Sequence, residues 1–122
     1  MIGKKVLIVD DISFIIEFEK EMLHSLSKKL SVNINIDAAY TLEEALQKLS
    51  QNVYDAIITD INLPDGSGIE IAKKAQEHNI RVAAFTINSY NQEEHDPFFD
   101  AFLQKPIMSA SYTKNIRHLL DI

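Results

Sequence analysis

The sequence predicts a doubly wound α/β domain, with five parallel strands in the order 2-1-3-4-5 and helices on both faces of the sheet. Two observations carry that prediction. The apolar pattern switches repeatedly between short continuous runs and helical spacing. Four of the five runs also hand over at their C-terminal ends to residues that carry chemistry. At 122 residues the chain has the length of one domain, able to bury roughly two-thirds of its unfolded surface.

The elements follow in order. Val6 to Val9 is apolar on both faces, as a central strand must be. Phe14 to Leu30 reads as a helix with Ile15, Phe18, Met22 and Leu26 on its inner face. Val32, Ile34 and Ile36 alternate with polar residues, a half-buried strand. In TLEEALQKL, Thr41 can cap a helix and Glu44 can reach back to complete a capping box. Leu42, Ala45, Leu46 and Leu49 then share a face. Ala56 to Thr59 is a second fully buried strand, followed by the turn-rich LPDGSG and a helix from about Ile69 to His78. Arg81 to Thr86 is the fourth strand. Ser89 with Gln92 opens a short fourth helix. Ala101 to Gln104 is the fifth strand, stopped by Lys105-Pro106. Ser109 to Leu120 closes the chain with Tyr112, Ile116, Leu119 and Leu120 on one side. Five such units fit the flavodoxin-like order better than the dinucleotide-binding one.

Composition narrows the function classes. There is no cysteine, which excludes disulfides and thiolate metal sites and suits a reducing compartment. No stretch is apolar enough to cross a membrane and no signal pattern follows Met1, so a soluble, unexported, cytoplasmic chain is expected. The net charge is −6 and the basic residues are scattered, which argues against nucleic acid as a direct partner. His24, His78, His95 and His118 form no metal spacing, and neither GxGxxG nor GxxxxGK[ST] is present.

Open parallel sheets bind ligands outside the carboxyl ends of their strands. That edge receives Asp10 and Asp11 from strand 1, Asp60 from strand 3, Thr86 from strand 4 and Lys105 from strand 5. Strands 1 and 3 are neighbours in the expected order, so the three carboxylates meet. Two unit charges about 4 Å apart repel by roughly 4 kcal/mol at an effective dielectric near 20. Such a cluster takes up protons or recruits a cation, and an oxygen-only donor set favours Mg²⁺. The ion, the Lys105 ammonium and the Thr86 hydroxyl suit a phosphoryl group, and a carboxylate can be the nucleophile toward it. Singly, each residue has a plainer reading: anions at a helix N-terminus, an Asx-turn, β propensity, a turn. Together, at one edge of one sheet, they make a site.

The stretches VLIVDD (6–11), DAIITDINLPDGSG (55–68), VAAFT (82–86) and FLQKPI (102–107) resemble a response-regulator receiver domain, over nearly the whole chain. The resemblance implies a phosphoacceptor domain of a two-component or phosphorelay system, spanning residues 1–122 with no output domain. Asp60 would take the phosphoryl group from a phosphohistidine on a histidine kinase or phosphotransfer protein. Asp11, Asp60 and the backbone carbonyl of Asn62 would ligate Mg²⁺, with Asp10 acting through water. Lys105 would pair with the phosphoryl group, Thr86 would hydrogen-bond it and Phe102 would change rotamer. Pro106 would follow a cis peptide bond. The output would be a repacked face toward a downstream partner or a linked domain.

The chain departs from the family pattern in three places. Ile87 stands where a small residue usually follows Thr86, which predicts slow phosphorylation, slow hydrolysis or both. Thr86 and Lys105 are only 19 residues apart, so the fourth helix is short. Phe98-Phe99 replace the glycine that commonly ends that helix. The two rings either fill the core beside it or form an exposed pair on a partner-binding face. Two further functions stay open at this stage. One is a receiver-like interaction module that is not phosphorylated. The other is a Mg²⁺-dependent phosphatase of the haloacid-dehalogenase kind, although that family's D-x-D spacing fails at Asp10-Asp11-Ile12.

Overall fold

A computed structural model of the chain describes residues 3–86, 98–104 and 109–122. Strands β1 (Gly3–Val9), β2 (Asn33–Ala39), β3 (Ala56–Thr59), β6 (Arg81–Thr86) and β7 (Ala101–Gln104) form one sheet in the order β2-β1-β3-β6-β7. Every pairing in it is parallel, so the strand order expected from the sequence is the one found. A small antiparallel pair, β4 (Asn62–Leu63) with β5 (Gly66–Ser67), stands apart from it. The stretch LPDGSG is thus partly a hairpin, turned at Pro64-Asp65, rather than a plain loop.

Alternation along β1 separates two cores. Val6 and Ile8 pack with α1 (Ser13–Leu30) and the C-terminal helix (Ser109–Leu120). Leu7 and Val9 pack with α2 (Leu42–Gln51) and α3 (Gly68–Glu77). A strand with a helical layer on each side has no polar face to spare, which is why VLIV is apolar throughout.

Helix boundaries follow local chemistry. The Thr41 hydroxyl accepts the Glu44 N–H at 3.1 Å. The reciprocal bond of a capping box, from Glu44 back to Thr41, is absent among the described residues. Asp65 instead reaches across from the β4–β5 turn and accepts the Leu42 and Glu43 N–H groups at 2.7 and 2.9 Å. Ser67 caps α3 through the Ile69 N–H. The left-handed position just beyond three helices falls to Ser31, Asn79 and Asp121, at φ 55°, 58° and 59°, in a chain with only three glycines.

One expectation is corrected and one open choice is settled. The inner face of α1 is centred on Ile16, Glu19, Leu23 and Leu26, whereas Ile15, Phe18 and Met22 are only partly buried at its edge. The pattern misled because a carboxylate sits mid-stripe: Glu19 is buried and accepts the Tyr112 hydroxyl at 2.8 Å. The choice left open for Phe98-Phe99 resolves toward the core. Phe99 is buried and meets Phe102 edge-on at 5.5 Å, and half-buried Phe98 lies under the Lys73 ammonium. The expected short fourth helix, with Ser89, Gln92 and His95, falls outside the described residues.

Candidate functional site

The site begins as a matter of register. Val9 of β1 pairs with Thr59 of β3, so the next residues, Asp10 and Asp60, leave the sheet side by side. Each still extends the ladder. The Asp10 N–H donates to the Ala39 carbonyl at 3.1 Å, and the Asp60 N–H to the Val9 carbonyl at 2.9 Å. Each side chain then turns back on its own loop. Asp10 Oδ1 accepts the Ile12 N–H at 3.0 Å, and Asp60 Oδ1 accepts the Asn62 N–H at 3.2 Å. These are Asx-turns, so the plain reading of an aspartate at a strand end holds here alongside the functional one.

The three carboxylates come together as the sequence predicts. Asp10, Asp11 and Asp60 each offer an oxygen, and these lie within 4.8 Å of one another. Asp10 and Asp60 are buried, whereas Asp11 faces solvent. Asn62, the expected carbonyl ligand, stands two residues past Asp60 at the start of β4. The donor set holds carboxylate oxygen without imidazole or thiolate, which suits a hard divalent cation and fits Mg²⁺.

Phe102 lies on β7, half-buried against the α2–α3 core and stacked on Phe99. Thr86 ends β6, so its backbone reaches the same edge of the sheet. The Thr86 side chain, Ile87, Lys105 and Pro106 lie outside the described residues.

Gly68 is a positioning residue that the sequence reading missed. A Cβ there would stand 2.2 Å from the Asp60 carbonyl oxygen and 3.1 Å from the Ile61 Cα. The first turn of α3 therefore presses directly on the backbone of the Asp60 loop, and the Gly68 N–H donates to the Ile61 carbonyl at 2.7 Å. From the other side, the Thr59 hydroxyl donates to the Asp60 carbonyl at 2.9 Å. The signal was present: a glycine at the start of a helix, where no left-handed turn calls for one, marks a close approach.

Comparison with known proteins agrees with this geometry. The family model described as "Response regulator receiver domain" matches residues 6–117. Hybrid signal transduction histidine kinase L of Dictyostelium discoideum is 29% identical over 126 residues, covering 93% of this chain and 7% of the kinase. Response regulator ArlR of Staphylococcus aureus is 29% identical over 121 residues, covering 95% of this chain and 52% of its own length. The chain thus spans about half, or far less, of these curated relatives. Among solved structures, response regulator protein TrrA of Thermotoga maritima, in complex with Mg²⁺-BeF, superposes with a TM-score of 0.84 at 29% identity. The match covers 96% of this chain and 99% of that one. The chain belongs to the response regulator receiver domains, the phosphoacceptor modules of two-component signalling.

Proposed function

We propose that Asp60 accepts a phosphoryl group from a phosphohistidine on a histidine kinase or phosphotransfer protein, with Mg²⁺ as cofactor. The convergence of Asp10, Asp11 and Asp60 at the ends of adjacent strands carries this reading. One Asp60 carboxylate oxygen adds to phosphorus. The P–N bond of the donor breaks, its electron pair stays with the imidazole nitrogen, and an aspartyl phosphate results. The Asn62 N–H on Asp60 Oδ1 restrains the carboxylate toward its own loop, which lowers the cost of orienting it for attack.

Asp11, Asp60 and the Asn62 carbonyl would hold the metal directly, and Asp10 through water. The solvent-facing position of Asp11 and the buried, backbone-bonded side chain of Asp10 support that division. Bound Mg²⁺ supplies positive charge that offsets repulsion between the pocket and an incoming phosphoryl group. Lys105 would pair with the transferred group, Thr86 would donate its hydroxyl to it, and Phe102 would follow Thr86 between two rotamers. That couples the site to a face read by a partner protein or a linked domain. In this role the domain catalyses only its own phosphorylation and dephosphorylation, in the cytoplasm.

Intact-mass measurement after incubation with Mg²⁺ and acetyl phosphate tests the reading. The expected result is a gain of one phosphoryl group in the wild type and none in Asp60→Asn. Steady turnover of a phosphomonoester without an adduct would replace it with a phosphatase. Absence of both adduct and Mg²⁺ binding would replace it with an interaction module. Ile87→Ala should speed phosphorylation, hydrolysis or both.

A further inference from the structure

The seam between α1 and the C-terminal helix is closed at one point and open below it. Tyr112 closes it, buried, with its hydroxyl on Glu19 and its ring against Phe18 and Phe85 at 6.0 and 5.7 Å. Beside the second half of α1 and along the C-terminal segment from Ala110 to Ile122, the seam widens into a groove of about 830 Å³. Half-buried Met22 and Ile122 supply apolar surface there, and Lys29, Lys114 and Arg117 supply charge.

The balance of that charge is unusual for this chain, whose net charge is −6. Lys29, Lys114 and Arg117 are exposed, and among the described residues none of them makes an ion pair. The groove has a carboxylate, Asp121, but one acid does not neutralise three cations. Lys29 and Arg117 sit in the last turns of their helices, where they complement the helix dipoles. Lys114 lies before the last turn, so the dipole leaves it unexplained.

We infer that this groove docks an acidic amphipathic segment of a partner protein. Its apolar side chains would lie against Met22 and Ile122, and its flanking carboxylates would meet Lys29, Lys114 and Arg117. A symmetric dimer through the same face is disfavoured, because it would set the three cations against their own copies. Nucleic acid is disfavoured by the apolar surface in the groove and by the overall negative charge. The groove is distinct from the acid pocket, so the inference does not rest on phosphorylation of Asp60.

The probe is a synthetic amphipathic helix of leucine and glutamate, with a leucine–lysine helix as control, titrated into the ¹⁵N-labelled chain. The leucine–glutamate helix should shift amides within 22–29 and 110–122 and leave those of Asp10, Asp11 and Asp60 unmoved. The double variant K114E/R117E should weaken binding about tenfold or more, as loss of two steering cations implies, and should gain affinity for the leucine–lysine helix. An unchanged wild-type circular dichroism spectrum and thermal midpoint would show that the variant is folded. The inference fails if the wild type binds both helices alike. It fails if shifts map elsewhere or do not appear at millimolar peptide. It also fails if self-association or a single-stranded oligonucleotide displaces the acidic helix.

Discussion

Carboxylates gather in two regions of this molecule, and their company differs. Under α2, Asp37 accepts the Tyr54 hydroxyl at 2.7 Å and lies 3.8 Å from the Lys5 ammonium. That ammonium also donates to the Asn52 side chain at 2.8 Å and hangs over the Tyr54 ring. Burial, and then the Asp37 hydrogen bond, push the Tyr54 phenol above its ordinary pKa, so it stays a donor. Beyond the carboxyl ends of β1 and β3, Asp10, Asp11 and Asp60 gather with one another. The first group sets one carboxylate among a hydroxyl and an ammonium, whereas the second brings three carboxylate oxygens within reach of a single cation. What separates a structural carboxylate from a functional one here is its neighbours, since exposure does not: Asp10 is more buried than Asp37.

The largest test of this contrast is mechanical. Gly68→Ala puts a methyl group where the Asp60 carbonyl already stands. We expect a loss of about 3 kcal/mol in urea unfolding, at the upper end for overpacking, and a slower acetyl phosphate reaction. A variant that keeps wild-type stability and rate would show that the α3 contact does not position Asp60. Next comes Glu19, a carboxylate of the structural kind inside the core. Tyr112→Phe deprives it of a donor and should cost about 1.5 kcal/mol, the upper end for a buried hydrogen bond. Equal stabilities would remove Glu19 from the structural class.

The contrast is sharpest in a matched pair of substitutions whose signs should differ. Asp37→Asn weakens a satisfied cluster and should cost about 1 kcal/mol. Asp11→Asn relieves repulsion in the metal-free chain and should gain about 0.5 kcal/mol. Mg²⁺ at ten times its Kd should then stabilise the wild type by about 1.4 kcal/mol and Asp11→Asn by much less. Matching thermal shifts for the two variants would erase the distinction between the regions.

The acid pocket was legible in the sequence because strand register decides it. Once Val6–Val9 and Ala56–Thr59 are neighbouring parallel strands, Asp10, Asp11 and Asp60 have nowhere else to go. The two-sided burial of the strands was legible for the same reason. Contacts that satisfy a polar group across a long sequence separation were not. Glu19 was not picked out for the core, because its partner, Tyr112, is far along the chain. Gly68 looked like turn punctuation because the atom it spares, the Asp60 carbonyl, is backbone and has no residue-type signature. Asp65 is the third case, filed with the turn when its acceptors serve another element.

Asp65 also offers the smallest and most specific prediction. Its carboxylate accepts the Glu43 and Leu42 N–H groups, and these bonds hold its pKa below the ordinary carboxylate value. A depressed carboxylate stabilises the fold above its unfolded pKa, and that contribution is lost as pH falls through the lower, folded value. The thermal midpoint of the wild type should therefore exceed that of Asp65→Asn at pH 7. The gap should narrow below about pH 4, the ordinary aspartate value, because protonated Asp65 resembles asparagine. A gap that stays constant from pH 7 to pH 3 would mean that the hairpin is tied to α2 by shape alone. The distinction bears on the site, because the same hairpin begins at Asn62, two residues from the proposed phosphoacceptor. A charge-dependent tie would make the Asp60 loop loosest in acid, when Asp65 releases the first turn of α2.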